Sequence, residues 1–447
     1  MTEVLDVTVV ARQAFAIGVR PTADAPIQTR LHVPGSVLRG ALAAAWINEY
    51  GEPDPLRPGR AVIPPGRRAE FEELFERKVR FGPLLAVGSS VVPLSVKRCK
   101  YADEGDLDDP CRTALQDEAF GQTGRTCPSC DGPTVHGRGE VEFFDTARAG
   151  RAEKTRLALT DGETSADGML YTRQALRPFD REPGRDGKRT WRSFTGQIVG
   201  SNSWLGETRR IHIGGRRSTS GAADYSARPA GNRPAPIEDD RLVLRLTTPA
   251  ILVDRAGRPV DVPDTTLLSE QLGVKVTVGR RWVRTTTVGG WHAASNLPKP
   301  DELAVTAGSV FELLLDDRPD PDAVEGLLRH GLGLRRGEGF GWIQAGPWHR
   351  PAAPTPPGDD ESAGESDATV LFASGHGKWL MRELGRFLDQ CRGEDRPGPY
   401  LLGRPILEEA LQYSTFRETL HRILTRYTVQ QITQVRQELE NKVRDNG

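Results

Sequence analysis

The run from Leu242 to Gln344 restricts the fold more than any other part of this chain. Leu242–Val253 reads as strand, Asp264–Leu272 as helix and Val274–Val288 as strand. Ser309–Leu315 is strand again, Asp322–Arg329 helix and Phe340–Gln344 strand. The apolar period is near two in the strands and helical in between. This βαββαβ order is that of a ferredoxin-like unit. Between its last helix and last strand lies Gly331-Leu-Gly-Leu-Arg-Arg-Gly-Glu-Gly-Phe-Gly341, five glycines around Arg335-Arg336. Glycine admits positive φ and close approach, so such a loop can turn clustered N–H groups toward an anion. A dinucleotide-binding loop follows a strand and opens a helix, whereas this one does the reverse, and Arg336 stands where the third glycine would be. The alternatives are a plain connection and a phosphate-backbone contact; two arginines among the glycines favour the second.

The first half fits the same order less regularly. Val4–Val10 and Ala14–Val19 read as strand. In Val33-Pro-Gly-Ser-Val-Leu-Arg-Gly-Ala-Leu42, Ser36 is a candidate helix N-cap. Val37, Leu38, Ala41, Leu42, Ala45 and Trp46 then recur at helical spacing and leave Arg39 off the buried face. Val79–Lys97 is strand-rich, and fragments Met169–Thr172, Gln197–Val199 and Arg210–Ile213 alternate with loops. The expected fold class is α+β: two tandem ferredoxin-like domains over residues 1–230 and 240–348, with a cysteine-bearing insertion at 99–135. Residues 350–369 form a Pro/Ala/Gly/acid-rich linker, and 370–447 a helical appendage that either packs on the body or docks a partner.

Net charge is −1, from 60 basic and 61 acidic side chains, which excludes a globally cationic nucleic-acid binder. The charge is sorted locally instead. Eleven Lys/Arg between Arg173 and Arg217 face four acids, interleaved with Tyr171, Phe179, Trp191, Phe194 and Trp204. Arginines among aromatics suit unstacked RNA bases and phosphates. No window is apolar enough to span a bilayer and the start lacks a signal-peptide pattern, so a cytoplasmic location is expected.

Cys99, Cys111, Cys127 and Cys130 follow the spacing C-x11-C-x15-C-x2-C, the last pair inside Thr126-Cys-Pro-Ser-Cys-Asp-Gly132. Four of the chain's five cysteines in so short and polar a segment predict a structural zinc knuckle that supplies the missing core. A C-x2-C redox pair is the alternative, although such pairs open a helix after a strand, and glycines surround this one. Cys391 reads as an ordinary free thiol.

Val33–Leu42 resembles the Pro-Gly-Ser-x-Leu-Arg-Gly helix start of the CRISPR-associated RAMP superfamily, and Gly331–Gly341 is similar to that superfamily's glycine-rich loop. Thr155-Arg-Leu-Ala-Leu-Thr, Asp167-Gly-Met-Leu-Tyr-Thr-Arg, Phe194-Thr-Gly-Gln-Ile-Val-Gly, Ile213-Gly-Gly-Arg-Arg-Ser, Val288-Gly-Gly-Trp-His and Ala307-Gly-Ser-Val-Phe extend the likeness over residues 1–348. Together they resemble the subunit that caps the crRNA 5′ handle in type III effector complexes, most closely type III-D. The resemblance implies a non-catalytic, crRNA-binding member of antiviral defence. It would dock a large signalling subunit and the backbone RAMP subunits, and meet target RNA only indirectly. It also implies that Gly35, Ser36 and Arg39 line the handle's groove and that Gly333, Arg335, Arg336, Gly337 and Gly339 grip its backbone. Thr155, Arg156, Arg173, Arg216 and Arg217 would lie along the same strand of RNA.

RAMP proteins also include endoribonucleases that process pre-crRNA by general acid–base chemistry, commonly with histidine. Here His32, His212 and His292 are the candidates, but no Tyr or Lys partner pattern accompanies them. A backbone subunit cutting target RNA through a loop aspartate would carry one such domain rather than two. A zinc-dependent protein-interaction module that never touches RNA is the third reading, and the basic-aromatic segment counts against it.

Overall fold

Two antiparallel sheets, each with helices against one face, organise the first compact unit, Met1–Pro354; Thr355–Gly447 forms a second unit. The computed structural model describes residues 3–18, 28–54, 61–102, 109–121, 124–143, 151–156, 171–179, 191–200, 202–214, 220–231, 240–292, 297–351, 384–385, 388–389, 423 and 428–445.

In the first sheet Val4–Ala11 is central. It pairs with Ser193–Val199 on one side (Val7↔Gly196) and with Ala222–Pro229 on the other (Val7↔Ala227). Ser193–Val199 continues to the short strands Arg80–Phe81 and Leu85–Ala86, and Arg209–His212 is an added edge beside Ala222–Pro229. Alternation along Val4–Ala11 buries Leu5, Val7, Val9 and Ala11 in one core with Leu38, Ala41, Leu42 and Trp46 of helix Gly35–Tyr50. The helix begins two residues earlier than a Ser36 cap would place it. Pro34, extended at φ −60°, occupies the cap position without a side-chain hydrogen bond, and Ser36 is exposed within the first turn, so it is not the cap. Val37 and Ala45, expected in the buried stripe, are only partly buried.

The second sheet runs Val276–Trp282, Val310–Leu315, Arg241–Leu246, Ile343–Ala345. Its core joins Leu242, Leu244, Leu246, Phe311 and Leu313 to Leu268, Leu272, Val324 and Leu327 of helices Thr265–Leu272 and Pro321–His330. Asp264 caps the first of these by accepting from the N–H groups of Thr266 and Leu267; Asp320 caps the second by accepting from Asp322. Numbered by sequence, the strands cross the sheet in the order two-three-one-four, the arrangement of a βαββαβ unit. Val4–Ala11, Arg80–Phe81, Ser193–Val199 and Ala222–Pro229 repeat that order in the first sheet.

Some expectations change. Val274–Val288 is two strands: Val276–Trp282 stays in the sheet, while Thr285–His292 leaves it to form a hairpin with Leu297–Val305. A register shift between Val278 and Arg281 already bends the first strand. Of the expected strand Ala14–Val19, the described residues 14–18 give isolated bridges, Phe15↔Leu176 among them, and Val19 lies outside the described residues. In the second unit the longest described element is helix Val429–Asp445. Most of the expected helical appendage at 370–447 lies outside the described residues, as does Cys391. Among the described residues no helix is long and apolar enough to cross a membrane.

Candidate functional site

The two stretches that drew attention in the sequence meet in space. Helix Gly35–Tyr50 starts directly against the glycine-rich loop. A methyl group built on Gly35 would stand 1.9 Å from the Phe81 carbonyl oxygen and 2.9 Å from the Gly339 Cα; one on Gly339, at φ +91°, would stand 2.8 Å from the Gly35 Cα. Backbone touches backbone there, which only glycine on both sides allows. The first turn of the helix holds no acidic residue and no capping side chain, so its leading N–H groups keep their positive end uncompensated.

The loop's two arginines have different roles. Arg335 adopts a left-handed conformation (φ 52°), and its guanidinium donates to Glu302 at 2.6 Å and Glu338 at 2.8 Å while lying 4.9 Å from the Phe340 ring centre. With 15% of its side chain exposed and its donors engaged, Arg335 braces the loop from within. The phosphate grip expected of it does not fit that placement. Lys299 adds a third charge at 2.8 Å from Glu338. Burial alone would raise the Glu338 carboxyl, but Arg335 and Lys299 hold it down at about 2. Arg336 makes one long hydrogen bond, Nη1 to the His330 carbonyl at 3.4 Å, among the described residues.

A third arginine, absent from the sequence-based expectations, completes the corner. Arg80 lies with its guanidinium 5.0 Å from the Trp342 ring centre; Nη1 donates to the Arg329 carbonyl, while Nε and Nη2 are buried with no acceptor among the described residues. Burial, with Arg336 adding to it, brings the Arg80 pKa down to about 10, still charged at neutral pH. The same two arginines, after burial, push His330 below its usual value. Helix start, glycine loop and Arg80–Arg336 thus form a cationic corner with orphan donors, a setting suited to one or two phosphate groups.

Other predicted residues lie elsewhere. Arg39 donates to the Phe75 carbonyl at 3.2 Å, tying the helix to its neighbour. Gly333 (φ +77°) packs on the Ile251 carbonyl, and a methyl built on Gly337 would meet only the Val79 carbonyl, at 3.9 Å. Thr155, Arg156 and Arg173 belong to the hairpin of Arg151–Arg156 with Tyr171–Leu176 (Thr155↔Thr172, Arg156↔Tyr171), outside both sheets; the side chains of Thr155 and Arg156 are not among the described ones. Arg216 and Arg217 fall outside the described residues. Among the histidines, His32 is held at about 4 by burial and by Arg30, so it is neutral at physiological pH. His212 ends the edge strand Arg209–His212, and the side chain of His292 is not described.

The four cysteines converge, their Sγ atoms all within 4.8 Å of one another. Cys99 ends strand Val96–Cys99, Cys111 lies in the short helix Pro110–Thr113 capped by Asp109, and Cys127 and Cys130 flank a tight turn closed by Asp131 N–H on the Cys127 carbonyl at 2.9 Å. Sγ separations of 3.6 Å (Cys99–Cys130) and 3.9 Å (Cys127–Cys111) match the roughly 3.8 Å edge of a tetrahedron with metal–sulfur bonds of ~2.3 Å. Backbone N–H groups of Tyr101 and Ser129 donate to Cys99 and Cys127 sulfurs at 3.4 Å. Against the upward pull of burial, N–H groups of Ser129 and Cys130 lower the Cys127 thiol, while burial raises Cys99 and the adjacent Cys130 thiol raises Cys111. The donor set fits a tetracoordinate thiolate-loving ion.

The molecule so far described is a mixed α+β protein of antiparallel sheets with a cationic corner and a four-cysteine cluster. No known protein-family model and no curated protein matches its sequence. Solved structures similar to it include a chain of a type III-B Cmr-beta complex bound to cognate target RNA (11% identity, TM-score 0.38, covering 75% of this chain and 95% of that one). CRISPR-associated protein Cas6 is another (8% identity, TM-score 0.31, 78% and 100%). A third is Cse3 of Thermus thermophilus bound to RNA representing a pre-cleavage complex (16% identity, TM-score 0.21, 44% and 79%). At TM-scores this low neither a shared topology nor a shared function follows.

Proposed function

We propose that this protein is a non-catalytic guide-RNA-binding subunit of a type III CRISPR effector complex. It holds the repeat-derived 5′ handle of the crRNA at the corner where helix Gly35–Tyr50 meets the Gly331–Gly341 loop. The observation that carries this reading is the backbone contact between Gly35 and Gly339 beside the unsatisfied guanidinium of Arg80. Two motifs that resemble those of the RAMP superfamily are built into one anion-accepting surface, and the resemblance supplies the identity of the anion. On this reading the two sheets are tandem ferredoxin-like RAMP folds, the cysteine cluster holds a structural zinc ion, and the large and first backbone subunits dock on the same protein. Phosphate contacts from Arg336, the first-turn N–H groups and the glycine loop, in the field of the buried Arg80 guanidinium, fix the strand, and its bases are left to be read by stacking and edge contacts.

The test is binding of a repeat-derived 5′-handle RNA against a scrambled oligonucleotide of the same length across a salt series. Preferential binding is expected, with log affinity falling linearly in log salt. Arg336→Ala and Arg80→Ala should each weaken binding and flatten the salt slope by about one unit. Equal affinity for both RNAs, by the isolated chain and in the assembled complex, refutes the reading. Cleavage products from the repeat RNA in a time course would move it to the processing class.

A further inference from the structure

Strand Arg241–Leu246 is buried on both faces. Leu242, Leu244 and Leu246 enter the core beneath the helices, while Arg241, Val243 and Arg245 alternate onto the opposite face. Two arginines on that face are treated differently. Arg241 donates to Glu312 at 3.0 Å, and Arg280 shares the same carboxylate at 2.9 Å. Arg245, 8% exposed, makes no side-chain hydrogen bond among the described residues, and its Nε is wholly enclosed. Asp117 is near enough to favour its charge but forms no hydrogen bond with it. Burial lowers its pKa to about 10, so the guanidinium is cationic at neutral pH.

A buried guanidinium with unmet donors is costly unless something supplies the missing acceptors. The structure provides a space for it. Arg245 lines a cavity of about 40 Å³ between the second sheet and the segment Leu85–Pro93, together with Ser90, Pro93, Thr247, Gly308 and Gln344. That volume holds roughly three waters, about the bulk of one oxyanion group. Gln344 is exposed, so the cavity opens to solvent on that side, and its amide makes no other hydrogen bond among the described residues. Ser90 already accepts from the Trp348 indole N–H at 3.1 Å, and its own proton reaches only the Val91 carbonyl at 3.5 Å, leaving a hydroxyl able to donate inward. A forked cation, an amide and a hydroxyl around a small open cavity form a donor-rich set matched to tetrahedral oxygens.

We propose that Arg245, Gln344 and Ser90 form a phosphate-binding site, separate from the cationic corner and independent of the guide-RNA reading. The phosphate comes either from inorganic phosphate or from a nucleic-acid backbone, and the two sources are separable by experiment.

The full-length protein is melted across a sodium phosphate titration at fixed pH, with ionic strength balanced by sodium chloride. Wild type should show a saturating rise in Tm, as binding to the native state alone requires. Arg245→Met, which also takes the neighbouring cation from buried Asp117, should show no rise in Tm with phosphate, whatever its Tm without the anion. Should that variant fail to fold, Arg245→Lys keeps the charge but loses the fork, and half-saturation should rise about tenfold. A second arm measures affinity for a short oligouridine. Loss in Arg245→Met together with the phosphate response identifies a strand phosphate; unchanged affinity with a lost phosphate response identifies the free anion. No response in wild type, an equal response in Arg245→Met, or unchanged half-saturation in Arg245→Lys overturns the proposal.

Discussion

At the scale of single residues, glycine has three different meanings in this chain. Gly35 and Gly339 are glycines because backbones touch, so Gly35→Ala or Gly339→Ala should destabilise by about 2–4 kcal/mol in denaturant unfolding. Gly337 has nothing nearer than the Val79 carbonyl at 3.9 Å, and Gly337→Ala should stay within about 0.5 kcal/mol. Gly40 is exposed inside a helix with nothing within 4 Å, so Gly40→Ala should stabilise by about 0.5–1 kcal/mol. The sequence showed where glycines cluster but not which of them touch, because contact depends on a partner some three hundred positions away. The arginines show the same limit. Arg335 and Arg336 looked alike as neighbours, yet Glu302 and Glu338 claim one of them. Arg80, within Lys78-Val-Arg-Phe81, carried no local signal at all. Acid should expose the brace. Glu338, ordinarily near 4.5 but held at about 2, contributes stability that is complete above pH 4.5 and fades as pH falls toward 2. Glu338→Gln should reduce the loss over that window in pH-dependent melting.

At the scale of elements, period was legible, whereas the one cap named from the sequence, Ser36, and the polar strands were not. Helices Thr265–Leu272 and Pro321–His330 lie within a residue of their expected bounds because Asp264 and Asp320 mark where each begins. Ala222–Pro229, the fourth strand of the first sheet, escaped because Ala-Ala-Asp-Tyr-Ser-Ala-Arg-Pro lacks a β-branched, apolar alternation. The cysteine insertion was readable from spacing alone, although spacing did not reveal what it braces. Glu118 accepts from the Trp282 indole at 3.0 Å and pairs with Lys97 at 2.5 Å, while Arg280 donates to the Glu118 carbonyl at 2.9 Å, so the insertion is stitched to the second sheet. Elemental analysis should find about one zinc per chain. Chelation or Cys130→Ser should lower Tm and raise hydrogen exchange over residues 99–136 and in strand Val276–Trp282. Exchange unchanged in that strand would mean the staple acts only on its own segment.

At the scale of the whole molecule, the division falls at residue 354 rather than between the two sheets. The first unit contains both sheets, the cationic corner and the cysteine cluster. A chain ending at Pro354 should therefore keep a cooperative melt and its RNA affinity, measured by circular dichroism and by the handle-binding assay. Loss of the melt would show that residues 355–447 are needed to complete the first core. The βαββαβ order could be read for the second sheet, although the hairpin of Thr285–His292 with Leu297–Val305 that interrupts it could not. In the first it was obscured by the long stretch between Leu85–Ala86 and Ser193–Val199, which separates neighbouring strands by more than a hundred residues.

The meeting of Gly35 with Gly339 also sets a schedule. One wall of the corner is made at the start of synthesis and the other only near the end of the first unit. A nascent chain still lacking its last strand presents half a grip, with a bare helix end and no opposing loop. On the proposed function, the full grip would therefore exist only once both walls have been made.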